Sequence, residues 1–523
     1  MRRLRAAAAA GLAGLGCGAA TPPDAAEPAC RQLRLEAAPA GASVVLVLND
    51  TMRRDRLGSY GGPAATPAFD AFARANLLFT RASAQAPWTK PAVATLFTGL
   101  YPSQHTVTDD PRLPQRAGRR GVETADALPA EIATLAEVLR DAGFRTAAFV
   151  SNPWMGRAFG FDQGFEVYDD SFARFDAPGD TVTRAGLAWL EGVAPGERFF
   201  LYLHYIDSHQ PYGHLGVEEV RAWRSFLESD ARPVPKEALD VVRSLRTRDG
   251  WNLLLSTGVR PSLRLLEWAY DRGIESFDET FGGFLEAFAG HEARPRTAVV
   301  VTSDHGEALF ERGYGNHGRA LHDEELAVPL AARLPGVAAR GSEVDCSVGL
   351  IDLMATLCHY LGLACPEQMG VSFLSPAPGA PPRPARYLAA EGVPGLEAHR
   401  AIRNRRFKLV FEPAGPLGTD LARDAERGRE RPYSLYDLEV DPGEARDLLA
   451  GGAAPDAANV PNAPGSPNAP GSPNELEGVF VALRAALHAA IPAEPAAPRR
   501  GAPLDPELLE RLRALGYAEP ETR

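Results

Sequence analysis

The residues best suited to chemistry in this 523-residue chain are short polar clusters, each placed directly after an apolar run. Asn49-Asp50-Thr51 follows Ser43–Leu48, and Ser151-Asn152 follows Arg145–Val150. Asp207 and His209 follow Phe199–Tyr205, and Ser303-Asp304-His305 follows Thr297–Thr302. Asp50, Asp304 and His305 suit a divalent cation, because two carboxylates supply hard oxygens and one imidazole supplies a borderline nitrogen. Such a mixed set admits Ca, Mn, Mg or Zn and does not choose among them. Each residue taken singly has a bland explanation: Asp50 as a turn residue, His209 as a capped loop histidine, Asp304 as an orienter of its neighbour. Four such strand ends in one chain make coincidence a poor explanation.

Thr89 is the candidate nucleophile. Trp88–Gly99 (WTKPAVATLFTG) reads as a loop entering a short helix closed by Gly99. A hydroxyl at that point lies among unpaired backbone N–H groups at the positive end of the helix dipole. Those features stabilise an alkoxide and bind an anionic ester, and a metal alongside would lower the hydroxyl pKa further. The competing reading is an ordinary threonine N-cap, which this window alone favours.

The elements that must position these groups alternate between apolar runs and helical patterns. Ser43–Leu48, Arg145–Val150, Phe199–Tyr205 and Thr297–Thr302 read as buried strands, with helix-like segments such as Glu131–Ala142 and Leu266–Phe288 between them. This predicts an α/β domain with a large, mostly parallel sheet flanked by helices. In such a sheet, functional groups gather at the carboxyl ends of the strands, so residues distant in sequence converge on one edge. Arg400–Phe411 and Ser434–Leu438 predict a smaller antiparallel β unit. The expected organisation is a leader over 1–20, a catalytic domain over 42–375, a C-terminal α+β subdomain over 385–450, a linker over 453–474 and a helical tail over 475–523. The linker repeats NAPGSP twice, a composition that cannot bury a core. The tail holds a helix signature, with Asp505 as N-cap, Pro506 at the first position and Gly516 at the stop.

The bulk composition excludes some partners. The net charge is -12 and no Lys/Arg-rich face stands out, which argues against nucleic acid. The basic start Met1–Arg5 and the apolar run Ala6–Gly16 have the shape of a secretory signal, so the chain is expected outside the cytoplasm, in the periplasm or at the cell surface. Cys17 ends that run and resembles a lipoprotein cleavage site, so membrane attachment is expected only through a lipidated Cys17; plain cleavage near Ala19-Ala20 is the equal alternative. Cys30, Cys346, Cys358 and Cys365 match no metal knuckle, and export would permit a disulfide.

Several segments resemble the sulfatase family of the alkaline phosphatase superfamily. Asp50–Gly58 is similar to the opening motif of one branch. Thr89–His105 resembles the signature around the family's catalytic residue, and Phe199–Tyr212 (FFLYLHYIDSHQPY) resembles its third active-site strand. The most specific likeness is Val301–Pro329, with Arg400–Val410 and Tyr436–Leu448 resembling the C-terminal subdomain. The resemblance implies an exported, metal-dependent ester hydrolase acting on a sulfated or phosphorylated small molecule, glycan or lipid headgroup. The departures bear on substrate. The family signature Cys/Ser-x-Pro-x-Arg reads Thr89-Lys90-Pro91-Ala92-Val93 here, and oxidation of threonine gives a ketone, so no formylglycine is expected. Ser151-Asn152-Pro153-Trp154 stands where typical members carry Gly-Lys-x-His, so two cationic contacts to sulfate are missing.

Threonine nucleophiles among phosphodiesterase, phosphonate monoesterase and phosphoethanolamine transferase relatives therefore favour phosphoryl-type esters over sulfate. In this reading His209 or His317 protonates the leaving alcohol, and Lys90, Asn152 and Arg319 contact the anion. Lys90 as a solvated surface lysine and Arg319 as a partner of Asp323 are the competing readings. Two other functions stay open: a degenerate member that binds an anion without turnover, and a phosphoethanolamine-type transferase.

Overall fold

Ser43–Asn49 (SVVLVLN) lacks polar alternation, and all of it is buried, as a strand covered on both faces requires. In the computed structural model, which describes residues 33–36, 38–108, 124–172, 179–210, 260–338, 341–375, 386–392, 399–412, 433–450, 473–491 and 496–503, this strand lies within an eight-stranded sheet. The strands and α-helices run β1 (Ser43–Asn49), α1 (Pro67–Ala75), β2 (Leu77–Ser83), α2 (Thr89–Thr98), α3 (Pro102–His105), β3 (Thr124–Ala127), α4 (Leu135–Asp141), β4 (Arg145–Val150), β5 (Val167–Asp169), α5 (Gly179–Glu191) and β6 (Phe199–Tyr205). They continue with α6 (Arg260–Ala289), β7 (Thr297–Thr302), β8 (Ala308–Leu309), β9 (Gly315–Asn316), α7 (Asp323–Leu326), β10 (Leu330–Arg333), β11 (Ser342–Gly349) and α8 (Asp352–Leu361). The last elements are β12 (Leu388–Glu391), β13 (Arg400–Arg403), β14 (Phe407–Phe411), β15 (Tyr433–Asp437), α9 (Pro473–Ala490) and β16 (Arg500–Pro503).

The large sheet has the order β11-β2-β10-β7-β1-β6-β4-β5. Only β10 runs against its neighbours; the other pairings are parallel. Side chains alternate across it. Val44, Leu46 and Leu48 pack with Val93 and Phe97 of α2 on one face, while Val45 and Val47 pack with Phe277 and Phe281 of α6 on the other. The result is the three-layer α/β architecture expected from the sequence. The predicted strands recur within a residue, except that Arg400–Phe411 divides into β13 and β14 around a tight turn. There Asn404 Oδ1 accepts from the N–H groups of Arg406 and Phe407. These two strands and β12 and β15 form the expected antiparallel subdomain, covered by α9.

Two helices differ from expectation. The helix expected over Glu131–Ala142 starts at Leu135, because Thr134 and Glu137 form a reciprocal capping box. The helix expected over Leu266–Phe288 extends back to Arg260. The leader, the linker repeat and the Asp505–Gly516 helix signature lie outside the described residues, as does most of His214–Leu265. Among the described residues no helix is long and apolar enough to cross a membrane. Cys346 is disulfide-bonded, while Cys358 and Cys365 are free thiols.

Candidate active site

The parallel strands β1, β4, β6 and β7 end on one edge and carry their polar clusters there. The turn after β1 is fixed by its neighbours. Asp50 N–H donates to Tyr205 O at 3.0 Å, Ser208 Oγ donates to Asp50 O at 2.6 Å, and Met52 N–H donates to Ser303 Oγ at 2.8 Å. Thr51 adopts a left-handed φ of 60°, which a β-branched residue reaches only under constraint. Tyr270 of α6 supplies part of it, donating to Thr51 O at 2.5 Å and accepting from Arg53 N–H at 2.8 Å.

Thr89 is the first residue of α2, and Trp88 is its N-cap, without a side-chain cap bond. The threonine-cap reading therefore fails: the Thr89 hydroxyl turns inward instead. Its Oγ1 lies 3.3 Å from Asp50 Oδ2, 3.3 Å from His305 Nε2 and 3.3 Å from Asn152 Nδ2. Asn152 also donates to Asp50 Oδ2 at 2.5 Å, and its amide is oriented because Oδ1 accepts from Trp154 N–H at 2.9 Å. Gly99 ends the helix with φ 67°, as the sequence indicates.

The expected cation ligands converge in a way that calls for positive charge. Asp50 Oδ1 and Asp304 Oδ2 are buried without a hydrogen-bond donor among the described residues. They lie 3.6 and 3.5 Å from His305 Nε2. His305 Nδ1 is 2.8 Å from Gly306 O, which fixes the proton on Nδ1 and leaves Nε2 a bare acceptor in the neutral ring. Three acceptors facing one another at these distances repel unless a cation sits among them. Burial and then the Asp304 charge push the Asp50 carboxyl well above its ordinary range, the same conflict seen in protonation.

A residue missed in the sequence joins this cluster. His204, within β6, groups with Asp50 and Asp304 as potential ligands, and among the described residues neither of its buried ring nitrogens has a hydrogen-bond partner. Burial lowers its pKa to about 4, which keeps it neutral. The available signal was a histidine inside an otherwise apolar and aromatic strand.

The other expected residues divide. The rings of His209 and His317 lie 5.1 Å apart, and His317 lies 4.6 Å from the His305 ring. His317 Nδ1 meets Glu307 Oε2 at 2.8 Å, so fully buried Glu307 orients it; the sequence reading had not picked out this carboxylate. Burial and then His317 lower the His209 pKa to about 3. Asp207 turns away toward α6, accepting from Ser276 Oγ at 3.0 Å. Lys90 is fully buried, which excludes a solvated surface lysine; its Nζ lies 4.3 Å from the Phe159 ring centroid and 5.1 Å from that of Trp154. Arg319 is half-buried and its N–H donates to Glu325 Oε2 at 3.0 Å. Asp323 is instead held by Arg403 at 2.9 Å and Lys408 at 2.7 Å.

The chain also resembles known proteins of one family. The family model described as Sulfatase matches residues 42–363. A Delta 4,5-hexuronate-2-O-sulfatase of Bacteroides thetaiotaomicron is 23% identical over 439 residues, covering 77% of this chain and 84% of its own. Human arylsulfatase A is 24% identical over 452 residues, covering 79% and 85%. Among solved structures, a phosphonate monoester hydrolase of Agrobacterium radiobacter superposes with a TM-score of 0.57 at 22% identity, covering 78% of this chain and 92% of its own. A matching structure of a 2-O GAG sulfatase gives 0.58 at 19% identity, covering 78% and 88%. With the family model spanning more than half of its length, this chain belongs to the sulfatase family of the alkaline phosphatase superfamily and is an ester hydrolase.

Proposed function

We propose that this chain is a metal-dependent hydrolase of anionic esters with Thr89 as nucleophile, and that it prefers phosphate diesters or phosphonate esters to sulfate monoesters. The observation that carries the reading is the position of Thr89 Oγ1, 3.3 Å from Asp50, His305 and Asn152 alike at the first residue of α2. Asp50, Asp304 and His305 would hold a divalent ion, with His204 as a further donor; bound there, it would act as a Lewis acid on the ester and lower the pKa of the hydroxyl.

The chain's own groups carry the remaining steps. Thr89 gives its proton to Asp50 Oδ2, and Oγ1 forms a bond to phosphorus as the bond to the leaving oxygen breaks in line. The backbone N–H of Thr89, at the positive end of α2, takes up charge on the equatorial oxygens. The leaving alkoxide takes a proton from His209 or His317. Each of these rings has Nδ1 engaged, by Gln210 O at 2.6 Å and by Glu307 at 2.8 Å, so a proton leaves Nε2 only from a ring protonated on both nitrogens, a form that the Glu307 carboxylate can pair with at His317. Water then attacks the Thr89 ester, freeing the acid and returning a proton to Oγ1.

The preference follows from Thr89, which cannot become formylglycine, and from Asn152 and Trp154, which stand where the family resemblance leads one to expect two sulfate-binding cations. Asn152 and Lys90 are proposed to help hold the anion, with Arg319 at the rim. The phosphonate monoester hydrolase likenesses support the phosphoryl preference. A matching structure in complex with D-glucosamine-2-N,6-O-disulfate supports an anionic ester on a sugar as the broader class. The basic start and the apolar run to Cys17 support a location outside the cytoplasm. The test is a panel of aryl sulfate, phosphate monoester, phosphate diester and phosphonate ester substrates. The diester or phosphonate should turn over fastest, and a clear preference for sulfate would overturn the phosphoryl reading.

A further inference from the structure

We propose that Cys358 and Cys365 are an oxidisable pair whose disulfide closes across the C-terminus of α8 and tethers the loop that caps α2. The turn brings them together. Helix α8 ends at Gly362, whose φ of 67° is open to glycine at no cost. Gly362 N–H donates to the carbonyls of Cys358 and His359, and Leu363 N–H returns to Cys358 O at 2.9 Å. This closing pattern reverses the chain over the last turn of the helix. It brings Cys365 back toward Cys358, near enough that each thiol perturbs the other. Cys358 is buried and Cys365 exposed, and both are free thiols in this structure. Cys346, on the strand that leads into α8, already takes part in a disulfide, so disulfide chemistry belongs to this region of the chain.

The asymmetry sets the order of reaction. The neighbouring Cys358 holds the Cys365 thiol below its ordinary value, whereas Cys365 and then burial raise Cys358. Cys365 is therefore the attacking thiolate. Its sulfur attacks the disulfide of oxidised glutathione, or of a thiol–disulfide oxidoreductase, and expels one thiol. Cys358 then loses its proton, and its sulfur attacks Sγ of Cys365 in the mixed disulfide, expelling the second thiol. Two protein thiols are oxidised and one external disulfide is reduced to two thiols.

The consequence reaches the helix that begins at Thr89. Four and five residues beyond Cys365, the N–H groups of Met369 and Gly370 donate to Gly99 O at 2.8 and 3.3 Å. Gly99 is the C-cap of α2, and α8 packs against α2. Closing the pair removes freedom from the short segment between α8 and that anchor.

The test uses the full chain equilibrated with oxidised or reduced glutathione, quenched by alkylation and mapped with chymotrypsin, which cuts at Tyr360 between the two cysteines. The expected result is a cross-linked pair of peptides, two hydrogens lighter, after oxidised glutathione, and two alkylated thiols after reduced glutathione. In Cys365→Ser, an exposed change that the fold tolerates, Cys358 should stay alkylatable throughout. Amide exchange at Met369 and Gly370 should slow by roughly tenfold on oxidation, the scale set by closing a short loop. Thiols that remain fully alkylatable in excess oxidised glutathione would overturn the pair. Unchanged exchange at Met369 and Gly370 in the cross-linked protein would overturn the tether.

Discussion

Replacing Asn152 by alanine removes one donor from two acceptors at the centre of the site. Asn152 Nδ2 donates to Asp50 Oδ2 at 2.5 Å and to Thr89 Oγ1 at 3.3 Å, and the side chain is fully buried. A hydrogen bond to a buried charged group contributes about 1.5–3 kcal/mol. If that interaction holds Asp50 and Thr89 in reacting position, Asn152→Ala lowers kcat/KM by roughly 10- to 150-fold. The same change removes the acceptor for Trp154 N–H and so costs about 1 kcal/mol of stability as a lost cap. Asn152→Ser separates the two effects. Serine restores a cap acceptor, but its short side chain does not reach Asp50, so stability should return while activity stays low. Thermal melts with kcat/KM on a phosphonate ester read both quantities. An alanine variant within threefold of wild type, or a serine variant that recovers activity along with stability, would refute the role given to this amide.

Asp304→Asn and Asp50→Ala should each lose most of their bound metal by elemental analysis, because each removes one of the two carboxylates whose donor-less oxygens face the cluster. Unchanged content in both would refute the site. Tyr270→Phe removes the bonds to Thr51 O and Arg53 N–H and should lower kcat/KM about tenfold with the thermal midpoint nearly unchanged; full activity would show that the left-handed Thr51 needs no such clamp. Burial pushes the Asp323 carboxyl up, but Arg403 and then Lys408 outweigh it and hold the pKa below the ordinary range. A depressed folded pKa gives stability that is present above the unfolded value of about 3.9 and lost as pH falls through the folded one, so the thermal midpoint should drop below about pH 4. Lys408→Met leaves Asp323 and Glu444 buried with less compensation and should cost about 3–5 kcal/mol at neutral pH, with a weaker dependence on acid. A midpoint in this variant equal to wild type at neutral pH would contradict the assignment.

Much of the frame was legible because strands buried on both faces are continuous apolar runs, and their carboxyl ends must expose polar groups at one edge. Asp50, Asn152, His209, Asp304 and His305 converge for that reason, and Thr89 joins them from the start of α2. His204 escaped because it sits inside a strand, where a single imidazole reads as tolerated packing until its neighbours across the sheet are known. Glu307 escaped because its partner His317 is supplied by a loop ten residues on, beyond any local periodicity. Lys90 was misjudged in its competing reading, since nothing in its own segment announces the rings of Trp154 and Phe159 from a distant turn. The start of α4 was legible in principle: Thr134 and Glu137 carry the capping-box spacing, which overrides the apolar pattern before them.

The central claim is that Thr89 forms the covalent ester, and rapid acid quench of turnover on a slow phosphonate or phosphate diester, followed by intact-mass and peptide analysis, tests it most directly. The mass increase of the transferred phosphoryl or phosphonyl group should map to Thr89, on a side chain otherwise unmodified. Thr89→Ala should show no such adduct and about a thousandfold or greater loss of turnover, with Thr89→Ser retaining part of both. An adduct on another residue, or an alanine variant that turns over near the wild-type rate, would contradict it.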